Sequence, residues 1–186
     1  MTIYLAARFL HVVGALVVFS AVGLEIAILR GLTLAPSSTA AHAALAGLRI
    51  HKRVGIAAML LIFVPGVYMA IAAWGMPAWL IAAIVSMVSI IVLDATATRR
   101  SLAALGPALQ EGSNGKRVEQ LLLRLWSSFA ARVVLLLGIV ALMSMKPSWR
   151  GAVLTLAVAA SVAALAAPFA QRETRHASDR RKLAHE

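Results

Sequence analysis

Five ionisable side chains interrupt long stretches of sequence that otherwise carry none: Arg8, His11, Glu25, Asp94 and Arg132. His11 offers an imidazole nitrogen, the ligand type that suits both haem iron and copper. Arg8 lies one helical turn before it, and a guanidinium there can pair a haem propionate or steer an anion. Glu25, Asp94 and Arg132 supply two carboxylates and one cation. Such a set forms either a structural ion pair that fixes helix register or a path for protons and ions.

The elements that carry these residues are set by composition. Hydrophobic residues make up 61% of the 186-residue chain and charged residues 13%, against about 25% charged in soluble domains. The apolar residues fall in unbroken runs of about 20, which match the ~30 Å hydrocarbon core at 1.5 Å per helical residue. Backbone groups in lipid must be satisfied within their own segment, so these runs are helices. The alternating ~10-residue segments of a β-barrel do not occur. The expected fold is an all-α, multi-pass transmembrane helix bundle of five spans, at about 4–29, 54–73, 78–98, 126–145 and 151–167. Residues 1–170 then form the bundle and 171–186 a basic tail. Pro65 falls inside the second run and predicts a kink there.

Orientation follows from the cations. Segments 30–53, 99–125 and 171–186 hold fourteen of the 18 Lys and Arg residues, among them Arg30, Arg49, Lys52, Arg53, Arg100 and Arg124. Lys146 and Arg150 are the cations of the other side. The positive-inside rule places the N-terminus outside and the tail in the cytoplasm. The net charge of +11 thereby reads as contact with anionic lipid headgroups. Nucleic-acid binding is excluded as a reading, because the few aromatics lie mostly at membrane boundaries rather than along a basic groove. Between the spans, 37–50 opens on Ser/Thr cap candidates and runs Ala-rich into the second span. Residues 101–110 and 116–125 read as interfacial segments around a Gly112-Ser113-Asn114-Gly115 turn, the second amphipathic and continuing into the fourth span.

In the first span Tyr4, Ala7, His11, Gly14, Val18, Ala21 and Glu25 lie on one stripe. Small residues allow close helix approach and ionisable groups avoid lipid, so this stripe faces the interior, as a packing seam or as a site. Glu25, Asp94 and Arg132 lie four to six residues from the inner boundary on three spans, which predicts a pairing of Arg132 with Asp94 or Glu25. His11 is the span-embedded histidine; His42 and His51 belong to a connection, and His176 and His185 to the tail. Met69, Met76, Met143 and Met145 gather near the outer boundary, where thioethers with His11 would suit copper(I), although helix-end methionines commonly serve as plain hydrophobes. With no cysteine there is no disulfide, thiolate site or covalent haem attachment. Hydrolase and nucleotide-binding motifs are lacking.

The opening AARFLHVVGALVVFSAVGLE resembles the first helix of small bacterial membrane proteins of the copper-resistance-D type and of HemJ-type protoporphyrinogen oxidases. RIHKRVGIAAMLLIFVPGVYMA is similar to the second helix of that group, and VALMSMKPSWRGAVLTLAVAASVAALA to its uncharacterised members. The resemblance implies a bacterial inner-membrane protein and, from the HemJ-type members, haem b on His11. The lysine those members carry in a later helix has no counterpart inside a span here. Three functional readings follow. The first is a haem- or copper-binding membrane protein with His11 as ligand and Arg8 beside it. The second is a small transporter or channel using Glu25, Asp94 and Arg132. The third is an accessory or assembly subunit. A homo-oligomer or a partner membrane subunit would complete the first or third.

Overall fold

The computed structural model describes residues 2–35, 37–110 and 115–162. The protein is all-α. Helix α1 covers Thr2–Thr33, and α2 covers Ser38–Met69, continued by a wider π turn over Ala70–Trp74. Helix α3 (Ala78–Leu93) passes through a π segment, Asp94–Thr98, into α4 (Arg99–Gln110). Helix α5 spans Gly115–Met145, and a shorter apolar helix, α6, covers Trp149–Val162.

Among the described residues, four helical stretches are long and apolar enough to cross a membrane: Thr2–Thr33, Thr39–Trp74, Ala78–Gln110 and Gly115–Met145. Only 17–22% of each one's most apolar window is buried within the protein. Leu5, Phe9, Val12, Leu16, Ile84, Val88, Leu137 and Val140 are among the exposed apolar residues. Apolar exposure on that scale is unsuited to water and suited to lipid. The protein is a multi-pass membrane protein.

The helices outrun the spans expected from hydropathy. The second begins at Ser38 rather than near Val54, and Ser37 caps it by accepting the Ala40 amide at 3.2 Å. The third continues to Gln110, and the fourth starts at Gly115 rather than Trp126. Ala- and Leu-rich flanks favour helix, so 37–50 and 116–125 run into the second and fourth spans, as expected, and 101–110 extends the third instead of standing as a separate segment. The described part of α6 is about 21 Å long at 1.5 Å per residue. The rest of the fifth expected span, to residue 167, and the tail lie outside the described residues.

Contacts divide the chain into two compact units, Met1–Leu32 with Ala43–Pro77, and Thr33–His42 with Ala78–Glu186. In the first, Gly14 lies against Leu61 and Ile62, His11 against Ile62 and Gly66, and Glu25 against His51 and Lys52. Rising numbers in α1 meet falling numbers in α2, so the two are antiparallel. Gly75 ends the second helix, donating to the Ala70 carbonyl at 2.8 Å with φ +66°, a conformation that glycine adopts without strain.

The second unit repeats the antiparallel theme with α3–α4 against α5. Trp79 meets Lys146, Asp94 meets Arg132, and Thr98 meets Ser128. Leu105, Leu125 and Leu142 are its most deeply buried leucines. Gly138 of α5 faces Ala159 of α6, where an added Cβ would be 3.6 Å from the Ala159 methyl, an ordinary contact.

Candidate functional site

His11 sits in a turn of the first unit that proline prepares. Pro65 lies inside α2 and has no amide proton, so the Leu61 carbonyl, next to that of Ile62, lacks its helical donor. His11 Nδ1 donates to the Ile62 carbonyl oxygen in that turn, 2.9 Å away. Gly66 makes room, since a Cβ there would stand 3.2 Å from Nδ1 and 3.3 Å from Cε1. With Nδ1 carrying the proton, Nε2 carries the lone pair. Nε2 has no hydrogen-bond partner among the described residues and is not sealed from the surface. About 14 Å of helix separates it from the start of α1, within the apolar run expected to cross the bilayer.

Along the stripe around His11, Ala7, Gly14 and Glu25 are buried, and Tyr4, His11, Val18 and Ala21 half-buried. Arg8, one turn from His11, is exposed. Of the methionines, Met69 is buried in the core, whereas Met76 and Met145 are exposed. Among the described residues no three His, Cys, Asp or Glu side chains converge as a metal cluster would require.

The remaining ionisable residues are compensated. Glu25, 4% exposed, has Lys52 Nζ at 3.6 Å from Oε1 and His51 Nε2 at 3.7 Å from Oε2. Neither partner was expected there, because hydropathy assigns residues 51 and 52 to a connection. Helical continuity from Ser38 carries both to the depth of Glu25. A His-Lys pair nearly four helical turns N-terminal to Pro65 was the available signal.

In the second unit Arg132 Nη1 stands 3.6 Å from Asp94 Oδ1, and its guanidinium lies 5.8 Å from the Phe129 ring centre. Phe129 packs edge-on against Trp126, whose Nε1 donates to Thr33 Oγ1 at 3.1 Å. The buried Thr98 and Ser128 hydroxyls bond at 2.8 Å. Replacing Arg132 by Leu is expected to destabilise this unit by ~2 kcal/mol, below the cost for a fully buried pair because Asp94 is partly accessible. The check is the melting midpoint in detergent. Arg132→Leu should lower it and Arg132→Leu with Asp94→Asn should recover part of it; an unchanged midpoint in the single variant would show that the pair is dispensable.

The chemistry is therefore of two kinds: paired charges that hold helix register, and one imidazole with a committed nitrogen and an available one. No family model, curated protein or solved structure matches this chain.

Proposed function

We propose that the protein is a haem-binding membrane protein in which Nε2 of His11 is an axial ligand. The supporting observation is the 2.9 Å bond from Nδ1 to the Ile62 carbonyl, together with the partnerless Nε2. Ligating histidines commonly donate their second nitrogen to a carbonyl, which fixes tautomer and ring orientation and raises the basicity of the ligating nitrogen. A polar nitrogen at this depth that finds no partner in its own chain calls for one from elsewhere.

Haem is favoured over copper by ligand number. Haem b brings four equatorial nitrogens and asks the protein for one or two axial donors. Copper(I) on His11 would need further donors beside it; the described residues offer no His, Cys, Asp or Glu cluster, which leaves thioethers as the donors it would have to recruit. A second axial donor would come from another copy of the chain or a partner subunit. Arg8, exposed one turn away, is placed to pair a propionate. Haem supplies one-electron chemistry when bound; the protein's share is to orient His11 and hold its Nδ1 proton on the Ile62 carbonyl. The Arg-rich helix ends favour a bacterial inner membrane with the N-terminus outside.

The compensated pairs at Glu25 and Asp94 read as structural rather than as an open ion path, which weighs against the transporter reading. The test is a reduced-minus-oxidised spectrum of the detergent-purified full chain, expressed with ample haem. Wild type should show a Soret band. His11→Asn should lose it while folding, because the asparagine amide retains a donor for Ile62 and lacks the ligating nitrogen. A colourless wild type, or a pigmented His11→Asn protein, would overturn the assignment.

A further inference from the structure

The second unit contains a groove of about 910 Å³ between the α3–α4 stretch and α5. That is the size of ligand-binding clefts, which run to ~300–1,000 Å³. Arg100 and Arg124 line it together with Ser101 and Ser127, and Leu93 and Leu123 belong to its apolar lining. Both arginines are exposed, and neither forms an ion pair with a carboxylate of the described residues. Two guanidiniums and four hydroxyl-bearing residues, Thr96 and Ser128 with the two serines named, thus share one concavity with an apolar surface.

The depth of the groove points to its occupant. Twenty-two residues separate Ala78 from Arg100 and twenty-one separate Met145 from Arg124, so each arginine stands about 32 Å along its helix from the opposite membrane-facing end. This is the hydrocarbon thickness of a bilayer, and it puts both guanidiniums where lipid phosphates begin. Because α3–α4 and α5 are antiparallel, the two reach this level from opposite chain directions and meet at one boundary. Arginine binds phosphate oxygens through parallel N–H donors. Basic concavities between membrane helices recognise anionic headgroups, and the apolar part of the wall is suited to the start of an acyl chain.

We propose that Arg100 and Arg124 form a binding site for the phosphate headgroup of an anionic phospholipid in the groove between α3–α4 and α5. Free phosphate presents the same oxygens but nothing for Leu93 and Leu123 to cover, which is why the lipid is the chosen source. The site lies in the second unit and does not rest on the haem reading.

The full chain, purified in a mild non-ionic detergent, is titrated with phosphatidylglycerol, phosphatidylcholine or inorganic phosphate, and bound lipid is counted by native mass spectrometry alongside the melting midpoint. Phosphatidylglycerol should bind roughly tenfold more tightly than phosphatidylcholine. Arg100→Gln with Arg124→Gln should abolish that preference. Lys116→Gln with Arg117→Gln, which removes the same charge from exposed positions nearby, should retain it. Equal binding of the two lipids would overturn the proposal, as would loss of the preference in both double variants, which would mark diffuse attraction. An equal response to inorganic phosphate would make it a free-anion site and overturn the lipid assignment. Since Arg100 and Arg124 are exposed, the variants should fold, and an unaltered midpoint in the absence of lipid verifies that.

Discussion

Glu25→Ala is expected to destabilise the first unit by about 3 kcal/mol, a large share of the 5–15 kcal/mol that holds typical domains folded. The carboxylate is 4% exposed, and its removal leaves Lys52 and the His51 ring facing apolar surroundings without it. Lys52 is the more forgiving partner: its side chain is 20% exposed, and its flexible stem can carry the ammonium toward the boundary. His51 is more enclosed and has less room to retreat. The loss should read out as a lower melting midpoint in detergent and a smaller monodisperse fraction on size exclusion. It should persist at high salt, because a buried pair is weakly screened. Glu25→Gln should be milder, since the amide still accepts a hydrogen bond. Glu25→Leu combined with Lys52→Met should regain part of the loss, because an apolar replacement of both partners strands fewer charges. A wild-type midpoint for Glu25→Ala would show that the cluster contributes nothing to holding α1 on α2.

That cluster marks where sequence reading ran out. The apolar runs are visible in the chain because hydrophobic length is a local property, and four of them are helices long enough to cross a membrane. The stripe through Ala7, His11, Gly14 and Glu25 is visible because a helix converts spacing into a face. What a face touches depends on register between helices, and register is set by where each helix starts and how tightly it turns. Hydropathy starts the second span near Val54; the helix starts at Ser38, and that difference turns His51 and Lys52 from connection residues into partners of Glu25. The Ile62 carbonyl that His11 engages has no side-chain signature at all. Its trace in the sequence is indirect: Pro65 weakens the turn and Gly66, next to it, clears the space. Arg100 and Arg124 were legible as boundary charges, but their sharing of one groove required the antiparallel pairing of α3–α4 with α5.

Gly14→Ala should force the two helices of the first unit apart. A Cβ at Gly14 would lie 2.8 Å from Ile62 Cγ1 and 3.0 Å from both the Ile62 amide nitrogen and the Leu61 carbonyl carbon. The first contact could be relieved by a side-chain rotation; the other two are backbone, so α1 and α2 must move apart. Overpacking of this kind costs about 1–3 kcal/mol, set against the ~1 kcal/mol that Ala gains over Gly inside a helix. Gly23 lies on the same helix with nothing within 4 Å of its added Cβ, so Gly23→Ala should keep the propensity gain and leave the midpoint level or raised. The two variants differ in position alone, and a fall for Gly14→Ala without one for Gly23→Ala isolates close approach as the cause; equal midpoints would show that the helices part without cost. Separation at Gly14 also bears on His11, one turn away, because widening the helix pair draws Nδ1 off the Ile62 carbonyl and frees the ring to rotate. If His11 is an axial ligand, Gly14→Ala should therefore weaken or shift the Soret band even in the fraction that remains folded, a result that loss of stability by itself would not produce.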